Sequence, residues 1–131
     1  MPEAPPMMIA PDTSELATVR RWITAEVGDL VPAEHLPLLL VAVTEAVTNA
    51  IEAQKRVACT EPISIGVDPD RRLVEIEDCG GGFEADPDRV PVATPNELRG
   101  RGLLLMKQIC PDLSIETTST GTTVRLPFPS A

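Results

Sequence analysis

The apolar positions of this chain change period several times, and each change marks an element. Leu16, Val19, Ile23 and Val27 recur at helical spacing and predict an amphipathic helix. Asp12 and Glu15 have the spacing of a capping box that would start it, and Gly28-Asp29 would end it. After Pro32 a second helix is predicted to run to about Gln54. At about 100° per residue, its Leu36, Leu39, Leu40, Val43, Val47, Ala50 and Ile51 gather on one face. Glu45 and Asn49 lie together on the opposite face, one turn apart, with Glu52 nearby. Leu38 and Val41 share that second side, so it reads as a partly enclosed polar face and not a plain solvated one.

A period of two then takes over. Ile63, Ile65 and Val67 alternate with Ser64 and Gly66, and Asp68-Pro69-Asp70-Arg71 turns the chain into a partner strand, Leu73 to Asp78. Val74, Ile76 and Asp78 share one face of that strand. If the face meets the helices, Asp78 is an inward carboxylate that needs hydrogen-bond donors from protein or ligand. Gly80-Gly81-Gly82 follows, and the proline-rich segment from Phe83 to Arg99, without a sustained period, predicts a long loop of the kind that serves as a lid. Gly100-Arg101-Gly102 is expected to open an apolar helix over Leu103–Cys110, stopped by Pro111. Ser114–Thr118 and Thr122–Phe128 predict a hairpin with Thr122, Val124, Leu126 and Phe128 on its inward side. Residues 1–12 read as a tail with a short edge strand at Met7-Met8-Ile9, and residues 13–131 as a single domain. The expected fold class is α/β in the broad sense: a two-layer α+β sandwich with helices on one face of a mixed, mainly antiparallel sheet.

Composition narrows the functions. A chain of 131 residues has room for one ordinary domain. With 20 acidic against 11 basic residues and a net charge of −9, it lacks the cations that direct binding to nucleic acid demands. Trp22, Phe83 and Phe128 are the only aromatic residues, too few for a base-stacking platform. Cys59, Cys79 and Cys110 are widely spaced, odd in number and outside any C-x-x-C pair, so neither a disulfide nor a zinc site is expected and a reducing cytoplasm is the natural setting. The apolar stretch Leu36 to Ile51 carries Glu45, Asn49 and two threonines and reads as too short and too polar for a membrane span. The N-terminus has no basic region leading into an apolar run, so no signal peptide is expected.

Singly, the candidate chemical groups are weak signals. Glu45 and Asn49 suit a hard cation such as Mg²⁺, yet an exposed pair on a helix is the commoner case. Asp78-x-Gly80-x-Gly82 joins an inward acceptor to backbone bare enough for a flat ligand, although glycine-rich turns are common. Gly100-x-Gly102 before a helix is either a flexible join or an anion seat. His35 and Trp22 read as structural.

Their order along the chain is more specific. A helical Asn, an Asp-x-Gly-x-Gly turn, a proline-rich lid, a Gly-x-Gly helix start and a terminal Gly121-Thr122-Thr123 strand together resemble the GHKL ATPase superfamily of gyrases, histidine kinases and heat-shock chaperones. Within it, Glu45-Ala46-Val47-Thr48-Asn49-Ala50 and Gly100-Arg101-Gly102-Leu103-Leu104-Leu105-Met106 are most similar to the anti-sigma factor serine kinases of the RsbW and SpoIIAB type. The resemblance spans roughly residues 13 to 128 and implies the Bergerat-type ATP-binding fold. It implies ATP or ADP as ligand, with Mg²⁺ held by Asn49, and Glu45 as general base toward a serine hydroxyl. Asp78 would accept from the adenine amino group. Gly80 and Gly82 would admit the purine, Gly100, Arg101, Gly102 and Leu103 would cradle phosphates, and Thr122 would flank the base. A sigma factor and a STAS-type anti-anti-sigma protein are the partners implied, and a homodimer is left open. Ala53 departs from the histidine usual in the pattern, and Glu52 adds negative charge near the phosphates. Two alternatives therefore stand beside the kinase: a non-catalytic partner-binding regulator and a histidine-kinase-like ATPase domain.

Overall fold

The computed structural model describes residues 5–80 and 98–131, with backbone alone at 98–101. In chain order it runs β1 (Met7–Ile9), a 3-10 turn (Thr13–Glu15), α1 (Leu16–Val27), α2 (Leu36–Arg56), β2 (Ile63–Asp68), β3 (Leu73–Asp78), α3 (Leu98–Ile109), β4 (Ser114–Thr118) and β5 (Gly121–Pro127). The strands form one five-stranded sheet in the order β1-β2-β3-β5-β4, and every pairing is antiparallel.

Local sequence explains most of these boundaries. The Asp12 carboxylate accepts the Ser14 N–H at 2.9 Å, so the capping residue works, but the Asp12 N–H donates to the Ala10 carbonyl at 2.8 Å and the reciprocal Glu15 half of the predicted box does not form. Its turn is 3-10 before it relaxes into α1. Pro37 sits in the first turn of α2, where its missing N–H leaves no bond unmade. At the other end, Ala58 takes a left-handed conformation (φ 54°), the Ala58 N–H donates to the Lys55 carbonyl, and the Cys59 N–H to that of Gln54. These are the two bonds of a Schellman motif, formed around alanine where glycine is usual. They fold the chain leaving α2 back toward Gln54.

The sheet alternates as expected. Ile63, Ile65, Val67, Val74, Ile76 and Leu126 are buried, and Val19, Ile23, Val27, Leu39, Val43, Val47 and Ile51 of the two helices complete one core with them. Trp22 is half-buried against that core. The opposite face of the sheet is polar: Arg125 donates to Glu75 at 2.9 Å and reaches Glu116 at 3.4 Å. Among the described residues, helices therefore cover one face only. α2 is the central helix and packs against α1, α3, β3 and β5. By length and composition alone its 21 residues could cross a membrane, but here it is a core helix. Its outer side exposes Leu38 and Val41.

Two expectations are corrected. α3 starts at Leu98, so Gly100, Arg101 and Gly102 lie inside its first turns instead of preceding it. Cys59 and Cys79 form a disulfide with Cα atoms 6.6 Å apart. Their distance along the chain hid a proximity created by the turn after α2, and the pairing removes the cysteine argument for a reducing compartment. Cys110 is free and buried.

Candidate functional site

Asp78 ends β3 and lies opposite Thr122 of β5 in register, so both project on the helix-covered side of the sheet. The Asp78 carboxylate is half-buried and accepts the Gly80 N–H at 2.6 Å. Burial pushes its pKa above the ordinary carboxylate range; bonds from the Gly80 and Thr122 backbone pull against that, and Glu77 adds to the rise. A carboxylate has about four lone-pair sites, so capacity remains for another donor. Beside it, the Thr122 hydroxyl is buried with no hydrogen-bond partner among the described residues. An inward carboxylate next to an orphaned hydroxyl suits a flat ligand that carries a donor and an acceptor on one edge, as adenine does. The residues fit the base.

Gly80 closes this end. A Cβ there would lie 2.6 Å from the Ala53 Cβ and 2.8 Å from the Asp78 carboxylate, so only glycine lets the turn pack on α2. Ala53 is itself buried. The residue at the departure from the family pattern thus faces the base end of the site.

Asn49 and Glu45 are half-buried one and two turns before Ala53 on α2. Their partner is Gly102 of α3: a Cβ on it would lie 2.7 Å from Glu45 Oε2 and 3.8 Å from Asn49 Nδ2. The glycine lets α3 approach the carboxylate and the amide closely. From Glu45 to Ala53 the helix rises about 12 Å, the order of reach from a nucleotide's base to its phosphates. Adenine-type and phosphate-type features therefore lie along one edge of α2, contributed by β3, β5 and α3. An amide oxygen and a carboxylate one turn apart form a hard-donor set that fits Mg²⁺.

The family model of the histidine kinase-like ATPase domain matches residues 9–128, from β1 through β5. The chain belongs to this family. It is an ATP-binding, kinase-like domain of the GHKL superfamily, and its antiparallel α+β architecture is the one that membership entails. No curated protein matches the chain.

In this histidine kinase-like ATPase domain the predicted residues take different places. Glu45, Asn49 and Gly102 are brought together, as are Asp78, Gly80 and Thr122. The Leu103 side chain is 6 % exposed and belongs to the core, which leaves it no side chain for a ligand. Gly100 and Arg101 lie in the first turns of α3. Gly82 and most of the expected lid, 83–97, lie outside the described residues.

Sequence reasoning missed Gln54. It is fully buried; its Oε1 accepts the Cys79 N–H at 3.1 Å, and its Nε2 donates to the Glu61 carbonyl at 2.8 Å and the Cys59 carbonyl at 3.4 Å. One amide thus ties the turn after Asp78 to the segment after α2. The signal was present: Gln54 follows Val47, Ala50 and Ile51 on the core face, where a polar residue has to find buried partners.

Proposed function

We propose that this ATPase domain is a protein serine kinase that acts as an anti-sigma factor, binding a sigma factor and phosphorylating a STAS-type anti-anti-sigma protein on serine. The observation that carries the reading is Glu45, a half-buried carboxylate one turn from Asn49 and in close approach to Gly102. A group at that place can accept the proton of an attacking hydroxyl as it reaches the terminal phosphate. Asn49 would hold the Mg²⁺ ion through its amide oxygen, and the bound ion would offset the charge of the phosphates. Asp78 and Thr122 would orient the base, which fixes the phosphate end relative to Glu45. Nucleotide state would then set which protein partner is held.

Ala53 does not weaken this reading. It packs against Gly80 at the base end, so the missing imidazole leaves the Glu45–Asn49–Gly102 end as it is. The test is incubation with labelled ATP, Mg²⁺ and an anti-anti-sigma protein. Phosphoserine should form with the wild-type domain and fall by about 10²–10⁴-fold with Glu45→Gln, while ATP binding is kept. A stable complex without phosphoserine would instead identify a non-catalytic regulator, and acid-labile phosphate on the partner a histidine-kinase-like activity.

A further inference from the structure

Cys79 sits between Asp78, which faces the base, and Gly80, which packs on α2. Cys59, its disulfide partner, follows the Schellman turn 20 residues earlier. We propose that Cys59 and Cys79 are a redox modification site that sets the nucleotide affinity of the Asp78 turn, strong when the pair is bridged and weaker when it is reduced. The proposal rests on the nucleotide reading of the site.

Three observations carry it. The pair is reachable: both sulfurs belong to partly exposed residues, whereas Cys110 is 1 % exposed and burial pushes its thiol up to about 11, which leaves it unreactive at neutral pH. Exchange is therefore confined to Cys59 and Cys79. The two segments are also joined without the bond. Gln54 already joins the two segments through Cys79 N–H, Cys59 O and Glu61 O, and neither cysteine belongs to the hydrophobic core. Reduction would leave the cysteines facing each other and the domain intact, as a reversible switch requires. Finally, the covalent restraint acts at the residue spanned by the Gly80 N–H to Asp78 bond of 2.6 Å. Fixing Cys79 fixes the peptides on both sides of it, and so the direction of the Asp78 carboxylate. A site held in its binding conformation before the ligand arrives has less order to impose on binding.

The chemistry needs a disulfide oxidant, for which glutathione disulfide serves. One cysteine thiolate attacks a sulfur of glutathione disulfide, its S–S bond breaks and one glutathione thiolate leaves. The second cysteine thiolate then attacks the protein sulfur of the mixed disulfide, forming the Cys59–Cys79 bond and releasing the second glutathione. Two protein thiols are oxidised, one glutathione disulfide is reduced to two glutathiones, and the two thiol protons end on them.

The test is calorimetric titration with ADP and Mg²⁺ of the protein equilibrated with glutathione disulfide or with dithiothreitol, each state verified by intact mass. The bridged form should bind about three- to ten-fold more tightly, and dithiothreitol should reverse the gain. The double variant Cys59→Ser/Cys79→Ser, which leaves no thiol at the site for glutathione to cap, should bind like the reduced wild type in both buffers, and Cys110→Ser should behave as the wild type. Equal affinity of verified bridged and reduced forms would overturn the switch alone. Absence of binding in both would overturn the nucleotide reading and the switch with it. The two sulfurs and a Glu61 carboxylate oxygen lie within 4.8 Å of one another. One equivalent of Zn²⁺ in the protein as purified, lost in Cys59→Ser and blocking oxidation, would overturn the switch in favour of a thiolate metal site.

Discussion

Asp78 is held in a position that burial penalises, and this gives its substitution two opposite effects. Its pKa is raised from the ordinary 3.8, chiefly by desolvation. The folded protein therefore keeps this proton at a pH where the unfolded chain has lost it. The contribution of Asp78 to stability is greatest below the unfolded value and declines as pH rises from about 4 through the raised folded value. At neutral pH Asp78→Asn should consequently raise the melting temperature of the ligand-free domain by about 1–4 °C, because the Asn oxygen can still accept from Gly80. The same variant should lose nucleotide affinity, since an amide is a poorer acceptor than a carboxylate for the adenine amino group. A lower melting temperature would contradict this account of Asp78. The inward parity of Asp78 was legible from its alternation with Val74 and Ile76. The fit of Gly80 against Ala53 was not, because nothing local to either residue says that they meet.

At the scale of elements, α2 organises the site along one edge and the core along another, and its C-terminal turn joins the two. Gln54→Leu should cost about 2–4 kcal/mol in urea unfolding, because it strips partners from the Cys79 N–H and the Glu61 carbonyl. A loss within about 0.5 kcal/mol would mean that water or a neighbour replaces the amide at no cost. Ala58→Gly should act in the other direction. Relief of a left-handed alanine is worth up to about 1 kcal/mol, and it should appear as a higher urea midpoint with unchanged nucleotide affinity. Both faces of α2 could be read from its periodicity. Its turn and the start of α3 could not: Ala58 adopts a conformation its type disfavours, and Gly100 and Gly102 look like a helix boundary although the helix begins at Leu98. The disulfide was hidden for the same reason, since tertiary folding and not spacing brings Cys59 to Cys79.

For the whole molecule, the arrangement of strands places the site. Because β5 pairs with β3 directly, Thr122 arrives opposite Asp78 although 44 residues separate them in sequence, by their numbers. That adjacency and the helix layer on one face set Asp78, Gly80 and Thr122 near Ala53 of α2 and Gly102 near Glu45 and Asn49. Strand positions could be read from alternation, and the fold class from the two periods together with the family resemblance. The order β1-β2-β3-β5-β4 could not, since it depends on which edges meet. The central claim is that this edge binds a nucleotide with its base at Asp78 and its phosphates at Asn49. Calorimetric titration of the bridged protein with ATP, with and without Mg²⁺, alongside Asp78→Asn, tests it most directly. Saturable binding that strengthens with Mg²⁺ and is lost in Asp78→Asn is the predicted result; no heat of binding to the wild type, or affinity unchanged by the substitution, would contradict it.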